Sequence, residues 1–191
     1  METYQLSEWC HHFIGIQVKE GDICIDATAG NGYDTEVLCQ LVGAKGKVYA
    51  FDIQEQAIVS TRQRLIKSEL ENRATIILGG HENMKQYLPL EVHGQISCIT
   101  FNFGYLPGGD RTMATGVDTS IAALEQGLDL LKKKGMMNLC IYSGGDSGFV
   151  EKERILSWLK GLDAKKYLVI LTEYYNRPNH PPMPALVVRL T

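Results

Sequence analysis

No stretch of this sequence is apolar over the length that a bilayer demands, which is about 20 residues for a helix. The first residues lack the basic-then-apolar order of a secretory signal, so a reducing, cytoplasmic setting is expected. The five cysteines are odd in number and form no C-x-x-C pair, which argues against a disulfide framework or a zinc site. Cys24, Cys98 and Cys140 lie inside apolar runs and read as small core residues. Cys10, His11 and His12 are adjacent on a helical pattern, so they point in different directions and no metal is expected. A basic surplus is also missing, the formal net charge being −3. Phosphate neutralisation dominates nucleic-acid affinity, so this balance counts against a non-catalytic RNA-binding module while leaving room for a local basic patch. Neither an internal repeat nor a low-complexity linker interrupts the chain. Residues 1–191 therefore read as a single domain, long enough for a packed core.

What is present centres on Asp26-Ala27-Thr28-Ala29-Gly30-Asn31-Gly32-Tyr33-Asp34-Thr35. The apolar run Ile23-Cys24-Ile25 precedes it and a helical pattern from Glu36 to Leu41 follows. A strand that ends in a Gly-x-Gly turn and feeds a helix is how α/β sheets bind nucleotides. The glycines permit positive φ and let backbone N–H groups approach a ligand. Asp26 at the strand end would repel a pyrophosphate but suits a cationic ligand, which tilts the expectation from a nicotinamide dinucleotide to S-adenosylmethionine. Thr35 also stands where the third glycine of G-x-G-x-x-G would fall.

Helices are expected over Ser7–Val18 (with Trp9, Phe13 and Ile16 on the apolar face), Glu55–Leu70, Thr119–Lys133 and Glu151–Leu162. Strands are expected over Ile23–Ala27, Lys47–Ile53, Ala74–Leu78, Gln95–Phe103, Met136–Tyr142, Tyr167–Tyr175 and Ala185–Leu190. Lys132, Lys133 and Lys134 read as partners of a helix C-terminus. Asp52 closes the second strand 20 residues beyond Gly32, where this type of fold holds a carboxylate for ribose hydroxyls. Capping the next helix is the alternative. His81 follows the third strand and either meets the base of a nucleotide or caps the short helix to Tyr87. The last two strands are close enough for an antiparallel hairpin. The expected fold is thus α/β and Rossmann-like: a mostly parallel seven-stranded sheet, helices on both faces, and an antiparallel C-terminal hairpin, as in class I methyltransferases.

The fourth strand ends in Asn102-Phe103-Gly104-Tyr105-Leu106-Pro107-Gly108-Gly109-Asp110. This puts a polar amide and a ring at the carboxyl edge of the sheet, where ligands bind. An amine that attacks a sulfonium methyl must be neutral and aimed. The Asn102 side-chain oxygen and the Phe103 carbonyl are suited to accept its N–H bonds, and Tyr105 to stack on it. A strand-terminating turn satisfying local backbone is the plain alternative.

The runs at 26–35, Gly80-His81-Glu82-Asn83 and 102–110 resemble one bacterial family, long labelled putative rRNA methylase and now associated with the methyltransferase that completes 5-methylaminomethyl-(2-thio)uridine at the tRNA wobble position. The resemblance covers nearly the whole chain. It implies S-adenosylmethionine-dependent N-methylation of the aminomethyl group on uridine 34, with the tRNA anticodon stem-loop as partner and a homodimer as one way to enlarge a small surface. It implies a cofactor site of Asp26, Thr28, Gly30, Asn31, Gly32, Asp34, Thr35, Asp52, Gln54, His81 and Glu82. Asn102, Gly104 and Tyr105 would face the reaction. Phe103, Leu106, Pro107, Arg111, Tyr142, Arg177 and His180 would border the substrate. The family's His-Pro-Gly-Gly-like run is replaced here by Tyr142-Ser143-Gly144-Gly145, whereas Asn176, Pro181 and Pro182 keep its pattern. Methylation of another RNA base or a small amine, and a nicotinamide-dependent oxidoreductase, are the competing expectations.

Overall fold

In the computed structural model the described residues are 5–104, 115–142, 145–178 and 181–191. Among them the elements run α1 (Leu6–Gln17), β1 (Ile23–Asp26), α2 (Tyr33–Val42), β2 (Lys47–Asp52), α3 (Glu55–Lys67), β3 (Ala74–Leu78), α4 (Met84–Tyr87), β4 (Ile96–Phe103), α5 (Val117–Leu130), β5 (Leu131–Ile141), α6 (Gly145–Lys160), β6 (Tyr167–Leu171) and β7 (Met183–Arg189). The strands form one sheet in the order β3-β2-β1-β4-β5-β7-β6. β1 to β5 pair in parallel, and β7 pairs antiparallel with both β5 and β6. The expected mostly parallel sheet with its antiparallel closing hairpin is what the chain forms.

The alternation of side chains along each strand divides the core between the two faces of the sheet. Ile25, Phe51, Ile99, Met137 and Leu139 meet Met84, Leu124, Leu130, Ile155 and Leu159 of α4, α5 and α6. Cys24, Val48, Cys98 and Met136 meet Ile14, Leu38, Val42 and Leu65 of α1, α2 and α3. β4 is buried on both sides, which is why it reads as a continuous apolar run. All five cysteines are free and buried.

Three expectations give way. In α1 the buried residues are Cys10 and Ile14, and Ile16 is 60% exposed. The i, i+4, i+8 series Cys10–Ile14–Val18 packs on the sheet, while Trp9 and Phe13 stack on each other beside it. The three lysines do not cap a helix either. α5 stops at Leu130 and β5 begins at once, because Leu131 pairs with Ile96. Lys132 Nζ instead pairs with Asp22 Oδ1 at 2.6 Å. Finally, α6 starts at Gly145, inside the stretch expected as a loop before Glu151.

Ile99→Ala should cost about 2–5 kcal/mol by leaving a cavity between the sheet and α4–α6, whereas Ile16→Ala should stay within about 0.5 kcal/mol. Urea unfolding of the two variants checks this, and equal losses would contradict the phase of α1.

Candidate functional site

The sheet order reverses between β1 and β4, and a crevice opens at that point beyond the carboxyl ends of the strands. It holds a cavity of about 860 Å³ lined by residues from both sides. On the β1 side the backbone turns sharply. Ala29 N donates to Phe51 O (2.8 Å), Gly32 N to Ala29 O (2.7 Å) and Glu36 N to Gly32 O (2.9 Å). Helix α3 secures the outside of this turn: Thr61 Oγ1 donates to Gly30 O at 3.1 Å and Arg64 Nε to Asn31 O at 2.7 Å. The Arg64 guanidinium also lies 3.6 Å from the centre of the Tyr33 ring, a cation–π contact. Gly32 has φ 79°, and a Cβ there would come within 2.8 Å of Thr61 Cα. Both the left-handed backbone and the close approach of α3 require glycine.

Asp26 works beneath the turn. It is fully buried and does not line the cavity. Thr35 Oγ1 donates to its Oδ2 at 2.6 Å, and the Thr28 amide and Thr100 hydroxyl donate to Oδ1 at 3.2 and 3.3 Å. Burial first, and repulsion from the Asp34 carboxylate second, push its carboxyl up from 3.8 to about 7. Gly32 and Thr35 likewise build the turn from below. Thr28, Gly30, Asn31 and Asp34 line the cavity itself.

Asp52 reaches the cavity from the end of β2. Its Oδ2 accepts from Gly30 N and its Oδ1 from Gln54 N, both at 2.9 Å. A carboxylate has about four lone-pair directions, so acceptor capacity remains for ligand hydroxyls. It is not the cap of α3, whose N-cap is Gln54. Gln54, His81 and Glu82 line the same end of the cavity, with Ile53 and Gly79 beside them. His81 is buried, with its ring edge-on to Phe101 and Phe103. Burial holds its pKa below the usual histidine range, favouring a neutral imidazole. It does not cap α4, which follows Asn83.

On the β4 side, Asn102 N donates to Thr28 Oγ1 and Asn102 Nδ2 to Asp34 Oδ2, each at 2.8 Å. The other oxygen of Asp34 lies 2.7 Å from His11 Nε2. Gly104, with φ 154°, is held by Thr115: its N–H donates to Thr115 Oγ1 (2.8 Å), and its carbonyl accepts from Thr115 N (2.9 Å). Behind that pair Glu151 is buried and accepts from the Thr115 and Ser120 hydroxyls at 3.0 and 2.6 Å. Tyr142 lies on the cavity wall and against Gly104. The Phe103 side chain is in the core, and its carbonyl accepts from Tyr142 N at 3.3 Å. Arg177 is exposed and does not line the cavity. Tyr105, Leu106, Pro107, Arg111 and His180 lie outside the described residues. Sequence reasoning missed Ser7, His11, Tyr33, Thr115 and Thr119 as cavity residues, and Glu151 behind them. A buried glutamate in a polar helix carries no sequence signal.

Dinucleotide folds continue in parallel at the far end of the sheet. This chain closes with an antiparallel β6–β7 pair, and its fold is that of the class I methyltransferases. Comparisons with known proteins make this particular. Residues 48–188 match the family described as "Putative rRNA methylase", and the chain belongs to that family. The crystal structure of a "putative rRNA-methylase" from Clostridium thermocellum is 42% identical, with a TM-score of 0.92 over 96% of this chain and 97% of that one. A "putative methyltransferase" from Streptococcus mutans, solved in complex with SAH, is 33% identical with a TM-score of 0.86, over 97% and 98% of the two chains. The chloroplastic tRNA (mnm(5)s(2)U34)-methyltransferase of Arabidopsis thaliana is 33% identical over 172 residues, 86% of this chain, and the match spans 62% of that longer protein.

The chain thus has the family and the fold of methyltransferases. The cavity suits S-adenosylmethionine on chemical grounds. Asp52 keeps acceptor capacity for ribose hydroxyls, and Asp34, Asp52 and Glu82 supply negative charge for a cation. The Gly30–Gly32 turn leaves backbone room.

Gly32→Ala should lower stability by about 1 kcal/mol or more through its positive φ alone, and should weaken binding of S-adenosylhomocysteine. Wild-type values for both in melting and calorimetry would contradict the role of the turn. Asp26 holds its proton more tightly in the fold than in the unfolded chain. Its stabilising contribution is therefore fully present below pH 3.8 and is lost as the pH rises towards 7. Asp26→Asn should show a smaller drop in Tm than wild type between about pH 4 and pH 7, and parallel curves would refute the buried-acid assignment.

Proposed function

We propose that this enzyme, read as one methyltransferase domain over residues 1–191, methylates the nitrogen of the aminomethyl group on 5-aminomethyl-(2-thio)uridine at tRNA position 34. The product is 5-methylaminomethyl-(2-thio)uridine. The observation that carries this reading is the orientation of the Asn102 amide. Asn102 turns its nitrogen towards Asp34, donating from Nδ2 to Oδ2. Its oxygen is then the acceptor that the amide can offer at the cavity. An amine nucleophile needs such an acceptor, because a hydrogen bond taken from its N–H leaves the lone pair aimed at the methyl carbon. The cofactor supplies an electrophilic methyl group. The chain's own residues hold the amine, exclude water and keep the nucleophile in line. Tyr142, half out of the cavity wall, offers a flat ring to a base.

Similarity to the Arabidopsis tRNA (mnm(5)s(2)U34)-methyltransferase supports the choice of nucleoside, and the exposure of Tyr142 at the cavity wall is compatible with a nucleotide held by a larger RNA. An acidic net charge of −3 means that the grip on tRNA must come from local groups rather than from the whole surface.

Asn102→Ala should lower kcat on tRNA carrying the aminomethyl-uridine by about 100-fold, the scale of a lost alignment, with S-adenosylhomocysteine binding retained. Unchanged turnover would remove Asn102 from the reaction. Nucleosides of tRNA from a deletion strain should accumulate the unmethylated aminomethyl form. Normal levels of the methylated nucleoside there would overturn the reading in favour of another RNA base or a small amine.

A further inference from the structure

We propose that His11 is a positioning residue for methyl transfer, acting through Asp34 on the Asn102 amide; this rests on the reading of Asn102 as the acceptor for the amine. Three distant parts of the chain meet here: α1 supplies His11, the start of α2 supplies Asp34, and the end of β4 supplies Asn102. All three line the cavity. Asp34 uses one oxygen for each neighbour, Oδ1 at 2.7 Å from His11 Nε2 and Oδ2 at 2.8 Å from Asn102 Nδ2. The Asp34 and His11 side chains are partly buried, 18% and 28% exposed.

A carboxylate held at only one oxygen turns freely about its terminal torsion, which has broad minima. With it would turn the amide of Asn102, and a half-turn of that amide presents NH₂, a donor, where an acceptor is needed. The bond from His11 fixes the second oxygen and so fixes the carboxylate plane. Since the carboxylate only accepts, Nε2 carries the proton in both the neutral and the charged imidazole. The clamp therefore does not depend on the charge of His11.

The clamp is mounted rigidly. Next to His11, the Cys10 carbonyl accepts from Asn138 Nδ2 of β5 at 2.9 Å in the core. Further along α1, Gln17 Nε2 donates to Ser97 O at 3.2 Å and to Lys134 O at 2.9 Å. Helix α1 is thus tied to the same central strands that carry Asn102, and His11 moves with them.

The test compares His11→Ala with His11→Gln, whose amide nitrogen falls close to the position of Nε2. His11→Ala should lower kcat on aminomethyl-uridine tRNA by about tenfold or more, the worth of a charge-assisted hydrogen bond. The KM for tRNA and the Kd for S-adenosylhomocysteine should stay within about twofold. His11→Gln should recover most of the loss. Equal losses in both variants, or wild-type kcat in His11→Ala, would overturn the proposal. A second readout needs no substrate. In the full-length protein with S-adenosylhomocysteine bound, the Asn102 side-chain NH₂ resonances should shift and broaden in His11→Ala and return in His11→Gln. Unchanged resonances in His11→Ala would overturn the clamp. A wild-type enzyme that leaves aminomethyl-uridine tRNA unmethylated would instead overturn the proposed substrate, and the resonances would still decide the role of His11.

Discussion

The reversal of strand order at β1 and β4 is the constraint on which the rest of the molecule depends. From β1 the chain moves outward through β2 and β3, then returns to the other side of β1 for β4. The loops that follow β1 and β4 therefore leave in opposite directions, and the sheet edge between them stays open. Bonds across the opening keep its two lips in register. Ala27 N donates to Thr100 O at 2.9 Å, and Asn102 N to Thr28 Oγ1 at 2.8 Å. The turn after β1 and the end of β4 are thus joined directly by hydrogen bonds, and the strand ladder sets their relative position. Such fixed geometry is what a reaction driven by positioning needs.

Charge is arranged by depth around that opening. Asp34, Asp52 and Glu82 reach the cavity, while Asp26 lies wholly beneath it. A buried carboxylate is tolerated only with donors, and Asp26 has a hydroxyl on one oxygen and an amide and a second hydroxyl on the other. Its raised proton affinity reflects burial first and the nearby Asp34 carboxylate second. A cationic ligand above the turn would favour the ionised form of Asp26, which links the shape of the loop to the sign of the ligand.

Much of this was legible in the sequence, for identifiable reasons. Strand ends, the glycine turn and Asp52 follow from local spacing, because a βα unit fixes where its carboxylate and glycines must fall. β4 was readable because burial on both faces leaves no polar alternation. Helix phase was harder. In α1 the series Trp9–Phe13–Ile16 and the series Cys10–Ile14–Val18 are both apolar, and only packing on the sheet selects the second. That one-residue difference also hid His11, which beside Cys10 and His12 looked like an idle member of a cluster. The Lys132–Lys134 run was misread because a helix running directly into a strand leaves no turn residues to mark the boundary. Glu151 was invisible because its partners, Thr115 and Ser120, come from α5 and the segment before it.

The presence of an amide rather than a carboxylate at position 102 carries a final consequence. For an amine to attack, it must be neutral, and a free alkyl amine holds its proton up to a pKa of about 10. A carboxylate as direct partner would stabilise the ammonium form and raise that pKa further. An amide oxygen accepts an N–H without adding charge. Asp34 is close enough to do the opposite, but its two oxygens are already taken by His11 and by Asn102 itself. The same pair of bonds that orients the amide therefore also keeps the nearest carboxylate engaged. On the proposed reading, one arrangement at the start of α2 would both orient the acceptor and leave Asp34 no free oxygen to take a hydrogen bond from the amine.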